Sequence, residues 1–117
     1  SSTSYFKDTT AYLKEKYDYT NSFSASSPFL NNDDIQLEGT EYIGEYALQY
    51  SCFNSLNTGN QLEEIANYGF YSSTGQQLTL GYSIKYMGIY VFQYNKIPYI
   101  TNKTCKLALF CYIIINR

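Results

Sequence analysis

The side chains that could do chemistry are defined first by an absence: the 117 residues contain no histidine. A serine or cysteine nucleophile therefore lacks its usual base, and a zinc site lacks its commonest ligand. The three cysteines, Cys52, Cys105 and Cys111, form no Cys-x-x-Cys pair, which argues against structural zinc. Carboxylates come in adjacent pairs at Asp33-Asp34 and Glu63-Glu64. Neighbours on a helix point about 100° apart, so Glu63-Glu64 reads as a solvated helix face. Asp33-Asp34 reads as a pair of turn-forming acids. Glu41 with Glu45 would act as a glycosidase pair only across a pocket. With no phosphate-cradling glycine loop either, the chain reads as a binding protein, not an enzyme, with no cofactor and no metal.

Tyrosine is what the sequence has in excess. There are 15 tyrosines and 7 phenylalanines, and no tryptophan. Tyrosine favours strands and tolerates half-burial with its hydroxyl in water, so a β-rich domain with an aromatic, wet surface is expected. A platform for sugars, bases or protein is the sharper use of the same residues. Charge is distributed unevenly along the chain. All ten acids lie in the first 64 residues together with three lysines, a net of −7, whereas the remainder carries five basic residues and no acid. Such asymmetry marks either a basic binding face or two halves that complement each other in one fold. Lysine in place of arginine weakens the nucleic-acid reading.

The apolar run at 107–115 spans nine residues, against roughly 20 for a membrane-crossing helix, so no membrane partner is expected. The first residue is Ser1, as in a processed chain or a fragment, and removal of a secretion signal would give that start. Asn102-Lys103-Thr104 is an N-glycosylation sequon. Cys105 and Cys111 fall in one extended stretch, about 20 Å apart, beyond disulfide reach. A bridge would therefore join Cys52 to one of them, the alternative being three reduced thiols.

The elements that would position these groups form a single domain, 1–117, with an N-terminal helix and arm over 1–40 and a strand–helix–sheet core over 41–117. A short helix is expected at 1–17 and a loop or arm at 18–32. Ile35 and Leu37 suggest a short strand, and alternation predicts a longer one over 42–52. Thr58 with Gln61 forms a capping-box pair, predicting a helix over 58–68 that ends at Gly69. Strands follow at 78–86 and 89–94, turned back at Asn95-Lys96, and a buried central strand at 105–115. No internal repeat is evident. The expected fold class is α+β: a curved antiparallel sheet with one main helix packed on it, plus the short N-terminal helix.

Tyr50-Ser51-Cys52, the helix expected after it, Tyr68-Gly69-Phe70, and the segment from Ile89 to Asn95 followed by Ile97 to Ile100 resemble the microbial guanyl-specific ribonucleases. They are still more similar to the RNase-like secreted effectors of powdery mildew fungi. The resemblance implies a disulfide between Cys52 and Cys111. It also implies a scaffold whose catalytic histidines are missing. On that basis the expected function is that of a secreted, non-catalytic virulence effector that binds a host protein and is recognised by a plant immune receptor. The contact residues would be Tyr86, Tyr90, Tyr94, Lys96 and Tyr99. The alternatives are a carbohydrate- or RNA-binding module, with at most weak RNA binding, and a small phage-type inhibitor protein.

Overall fold

The computed structural model describes residues 22–23, 26 and 28–104. The chain winds through eight strands: β1 (Ser22–Phe23), β2 (Asp34–Gln36), β3 (Tyr42–Ile43), β4 (Cys52–Asn57), β5 (Glu64–Ile65), β6 (Thr74–Leu80), β7 (Tyr86–Met87) and β8 (Tyr99–Asn102). Odd strands pair in the order β1-β3-β5-β7 and even strands in the order β2-β4-β6-β8, every pairing parallel. Tyr42 lies beside Glu64 and Glu64 beside Tyr86, while Ser55 lies beside Gln77 and Gln77 beside Tyr99. From β3 onward each full winding therefore takes 22 residues, whereas β1 to β3 takes 20 and β2 to β4 takes 21. The molecule is a parallel β-solenoid of about three turns.

This overturns the α+β expectation. Among the described residues there is no helix and no antiparallel pair. The segment 58–68 is a loop, the two-residue strand β5, and the start of a turn. Thr58 does not cap a helix; its N–H donates to Thr79 O on the next winding. The segment 42–52 is also not one strand. After β3 it becomes a run of turns in which Tyr46 and Tyr50 take left-handed backbone angles, φ 57° and 59°, before β4 begins. The expected strand at 89–94 is the same turn two windings later, with Tyr90 and Tyr94 at φ 53° and 58°. Asn95-Lys96 reverses nothing: Lys96 N–H donates to Ser73 O, and Lys96 makes a parallel bridge with Thr74. The short strand expected at Ile35 is present as β2. The N-terminal helix and the strand at 105–115 lie outside the described residues.

The physical reason is the corner. A straight strand buries every second side chain, but a winding that turns inward at each corner buries residues at irregular gaps of one, three or four. Leu62, Ile65 and Ala66 are all fully buried, and their helix-like spacing comes from a loop, a strand and a turn each facing one interior. That interior is one main cluster built of columns, among them Ile43, Ile65 and Met87, and Leu48, Phe70 and Phe92, with Ala66 and Tyr42 forming a small second cluster. Phe70 and Phe92 stack with ring centres 5.5 Å apart and planes within 11°. Each such ring removed from water contributes on the order of 1.5–3 kcal/mol. Where the column begins with Phe53, the next winding carries Gly75, because a Cβ there would collide with the Phe53 ring.

Candidate interaction surface

The turns between odd and even strands repeat their conformation as well as their position. Tyr46, Tyr68 and Tyr90 sit 22 residues apart at φ 57°, 58° and 53°; Tyr50, Ser72 and Tyr94 follow four residues later at 59°, 55° and 58°. Backbone hydrogen bonds hold these turns in register from one winding to the next. Leu48 N–H donates to Gly69 O, Phe70 N–H to Val91 O, and Ser72 N–H to Gln93 O. Because equivalent residues are one strand spacing apart, their side chains stack. The Tyr46 and Tyr68 rings lie 4.7 Å apart and within 3° of parallel, and Tyr68 to Tyr90 is 5.6 Å. Tyr71 stands edge-on to this column, 5.5 Å from Tyr68, and also edge-on to Tyr50 at 5.9 Å and Tyr94 at 5.7 Å.

Six tyrosines thus form one continuous aromatic face. Tyr46, Tyr50, Tyr90 and Tyr94 are exposed, and Tyr68 and Tyr71 are half-buried between them. Partial loss of water at the rings, reinforced by neighbouring tyrosines and by Glu45 beside Tyr46, pushes the Tyr46 and Tyr71 phenols above their ordinary value. They stay neutral hydrogen-bonding groups throughout the physiological range.

The five expected contact residues fall on three sides of the solenoid. Tyr90 and Tyr94 belong to the aromatic face. Tyr86 is half-buried in β7 on the short-stranded sheet. Lys96 is exposed just past the turn that ends at Tyr94, at its bridge with Thr74. Tyr99 is 71% exposed on the outer side of the long-stranded sheet, in register with Asp34, Ser55 and Gln77. Tyr46, Tyr50, Tyr68 and Tyr71 were not anticipated, although the 22-residue spacing of Tyr46, Tyr68 and Tyr90 was there to be read.

The carboxylates resolve differently from expectation. Glu63 pairs with Lys85 at 2.9 Å, while its neighbour Glu64 is fully buried in β5, so the pair is not a solvated helix face. Asp34 is a strand residue whose carboxylate accepts from Asn54 Nδ2 and Ser55 Oγ, both at 2.7 Å. Glu41 and Glu63 line an open cleft of about 540 Å³ with Lys85 and Tyr82, whereas Glu45 sits on the turn beside Tyr46. No group of residues that could hold a metal ion occurs among the described residues. Cys52 is a free thiol that accepts a hydrogen bond from Thr74 Oγ1 at 3.3 Å; Cys111 and Cys105 lie outside the described residues. The sequon has a structural use: Asn102 Oδ1 accepts from Thr104 N, and the buried Thr104 hydroxyl donates to Gly81 O.

A family model described as BspA type leucine rich repeat region matches residues 19–108 in six copies. No curated protein and no solved structure gives a significant match. The repeat and the parallel windings overturn the likeness to RNase-like proteins, whose motifs here are short pieces of successive windings. By its repeats and its coiled backbone alike, this chain belongs to the BspA-type leucine-rich repeat family.

Proposed function

We propose that this chain is a protein-binding repeat domain that docks on its partner through the tyrosine face. Leucine-rich repeat domains commonly mediate protein–protein interaction, which supports a protein partner. The single observation that carries the choice of surface is the six-ring array on one side. Tyrosine is enriched at interfaces because it offers a large rigid contact area with a polar tip at low entropic cost. Four of these rings are exposed, with exposed Ile89 beside them.

The domain acts in this reading by binding, not by catalysis, consistent with a sequence devoid of histidine. RNA is disfavoured as a ligand, since residues 28–104 carry seven carboxylates against three lysines. A host protein is one partner this reading admits. The virulence role and the immune receptor had their support in the RNase-like resemblance and lose it with that resemblance. Secretion keeps a place in the proposal through the sequon, and is tested by looking for a glycan at Asn102 on the natural protein.

The docking surface is tested with a photo-crosslinking side chain placed at Tyr90 or, on the long-stranded sheet, at Gln36. Crosslinking from position 90, followed by reconstitution of the purified pair and at least tenfold weaker binding for Tyr90→Ala, is the expected result. Crosslinking from position 36 alone, with affinity indifferent to Tyr46→Ala, Tyr90→Ala and Tyr94→Ala, would move the interface elsewhere.

A further inference from the structure

The second tyrosine column has a gap. Tyr50 and Tyr94 occupy the same position two windings apart, and the winding between them carries Ser72 there. Successive windings space the rings of the first column by 4.7 and 5.6 Å, which sets the rings of Tyr50 and Tyr94 roughly 10 Å apart. Ring thickness leaves a slot roughly 6–7 Å wide. Tyr71 lies nearly equidistant from the two walls, at 5.9 and 5.7 Å, inclined 76° and 67° to them. It forms the floor. The result is an open box of three aromatic rings, two walls and a base.

We propose that this slot binds a bulky alkylammonium group, the trimethylated lysine side chain of a protein partner. The inference rests on the protein-binding reading and specifies what the partner inserts. A cation seated over Tyr71 between the walls would lie about 4.5–5.5 Å from all three ring centres, inside the roughly 6 Å range of cation–π attraction. The width selects among cations. A flat guanidinium about 3.5 Å thick reaches only one wall, whereas a tetrahedral methylated ammonium fills the space between both. Charge agrees: residues 28–104 carry a net −4, and the carboxylate of Glu45 flanks the adjoining Tyr46 column. Exposed Lys96, two residues past Tyr94, is the nearest opposing charge in sequence. The slot also depends on the residue at 72 being small. Ser72 has the same left-handed backbone as Tyr50 and Tyr94, so a tyrosine is conformationally admissible there and would close the gap with a third ring.

The test uses the full chain and tetramethylammonium as probe, followed by proton NMR of the methyl groups and of the tyrosine rings. Saturable binding of about millimolar strength is expected, with ring-current shifts of the methyl signal. A neutral tert-butyl analogue should bind at least fivefold more weakly. Ser72→Tyr, which fills the slot without removing any ring, should abolish binding, and Tyr50→Ala or Tyr94→Ala should weaken it at least fivefold; circular dichroism establishes that each variant is folded. A peptide with trimethyllysine should bind more tightly than the same peptide with plain lysine. Equal binding of the neutral analogue, or unchanged binding by folded Ser72→Tyr, overturns the slot. Preference for phosphatidylcholine vesicles over the trimethyllysine peptide overturns the protein source. Because the probe needs no partner, a negative result here is separate from the crosslinking outcome that tests protein binding itself.

Discussion

Gly81 N–H donates to Thr58 Oγ1 at 2.9 Å, one winding below it, in a corner where both residues are buried. Gly81 O in turn accepts from Thr104 Oγ1 at 2.7 Å, so one glycine is gripped from both neighbouring windings. A threonine hydroxyl in a helix cap would face water; this one ties coil to coil.

Replacing Thr58 by valine keeps the shape and leaves the Gly81 N–H buried without its acceptor. The expected loss of stability is about 1–2 kcal/mol, measured by urea denaturation. Gly81→Ala should cost more, above about 2 kcal/mol, because its Cβ would collide with the carbonyl oxygen of Gly59. A Gly81→Ala protein as stable as the parent would contradict the close approach of these two turns.

The Tyr46–Tyr68 stack makes a second measurable claim. A double-mutant cycle with Tyr46→Ala and Tyr68→Ala should give a coupling energy of about 0.5–1.5 kcal/mol, the value of a well-placed aromatic pair. The same cycle between Tyr46 and Tyr99, on different sides of the solenoid, should give none. Equal couplings in the two cycles would mean that the rings do not stack in solution.

Stability should bend with pH at both ends. Hydrogen bonds from Ser55 and then Asn54 hold the Asp34 carboxyl below its ordinary value, so its contribution is present above the usual carboxylate range and is lost as pH falls through the depressed pKa. Asp34→Asn should flatten that acid limb. Tyr46 and Tyr71 act in the opposite sense. Desolvation first, and then the neighbouring groups, raise their pKa, so the unfolded chain ionises before the folded one. Their contribution is complete below about pH 10 and declines as pH rises beyond it. Ultraviolet titration should show late-ionising phenols, one of which disappears with each of Tyr46→Phe and Tyr71→Phe.

Much of this was legible in the residues, but under the wrong period. Alternation at Leu78 and Leu80 does mark a strand, β6, and Ile35 marks β2. The stretch 78–86 is not one strand, however: β6 ends at Leu80 and Tyr86 belongs to β7 in the other sheet. What misled was short-range spacing. Thr58 with Gln61, and Leu62 with Ile65 and Ala66, imitate a capped helix because a corner buries residues at helix-like gaps. Tyr90 and Tyr94 imitate an exposed strand because a turn with two left-handed tyrosines leaves both rings outside. Nothing in a single tyrosine announces a positive φ, which most non-glycine residues avoid. Only comparison at distance 22, setting Ile43-Gly44 beside Ile65-Ala66 and Met87-Gly88, reveals the winding. The same comparison exposes Ser72 as the missing ring. The lopsided charge follows the windings too: the acids occupy the first coils and the lysines the last, joined by the Lys85–Glu63 pair.

Phe70 provides the most discriminating core test. It lies on the middle winding, fully buried, with Leu48 in the equivalent place before it and the Phe92 ring stacked after it. In a solenoid each winding is stabilised by its neighbours, so a truncation in the middle removes contacts on two sides. Phe70→Ala should cost about 3–5 kcal/mol, and its effect should be less than additive with Phe92→Ala because the two rings share one contact. Hydrogen exchange gives the finer readout. Amides donated across windings at this level, Leu48 N–H to Gly69 O and Phe70 N–H to Val91 O, should lose protection together in the Phe70→Ala protein. Loss of protection confined to residues adjacent to Phe70 in sequence would instead indicate a locally folded element, and the coiled architecture would have to be given up.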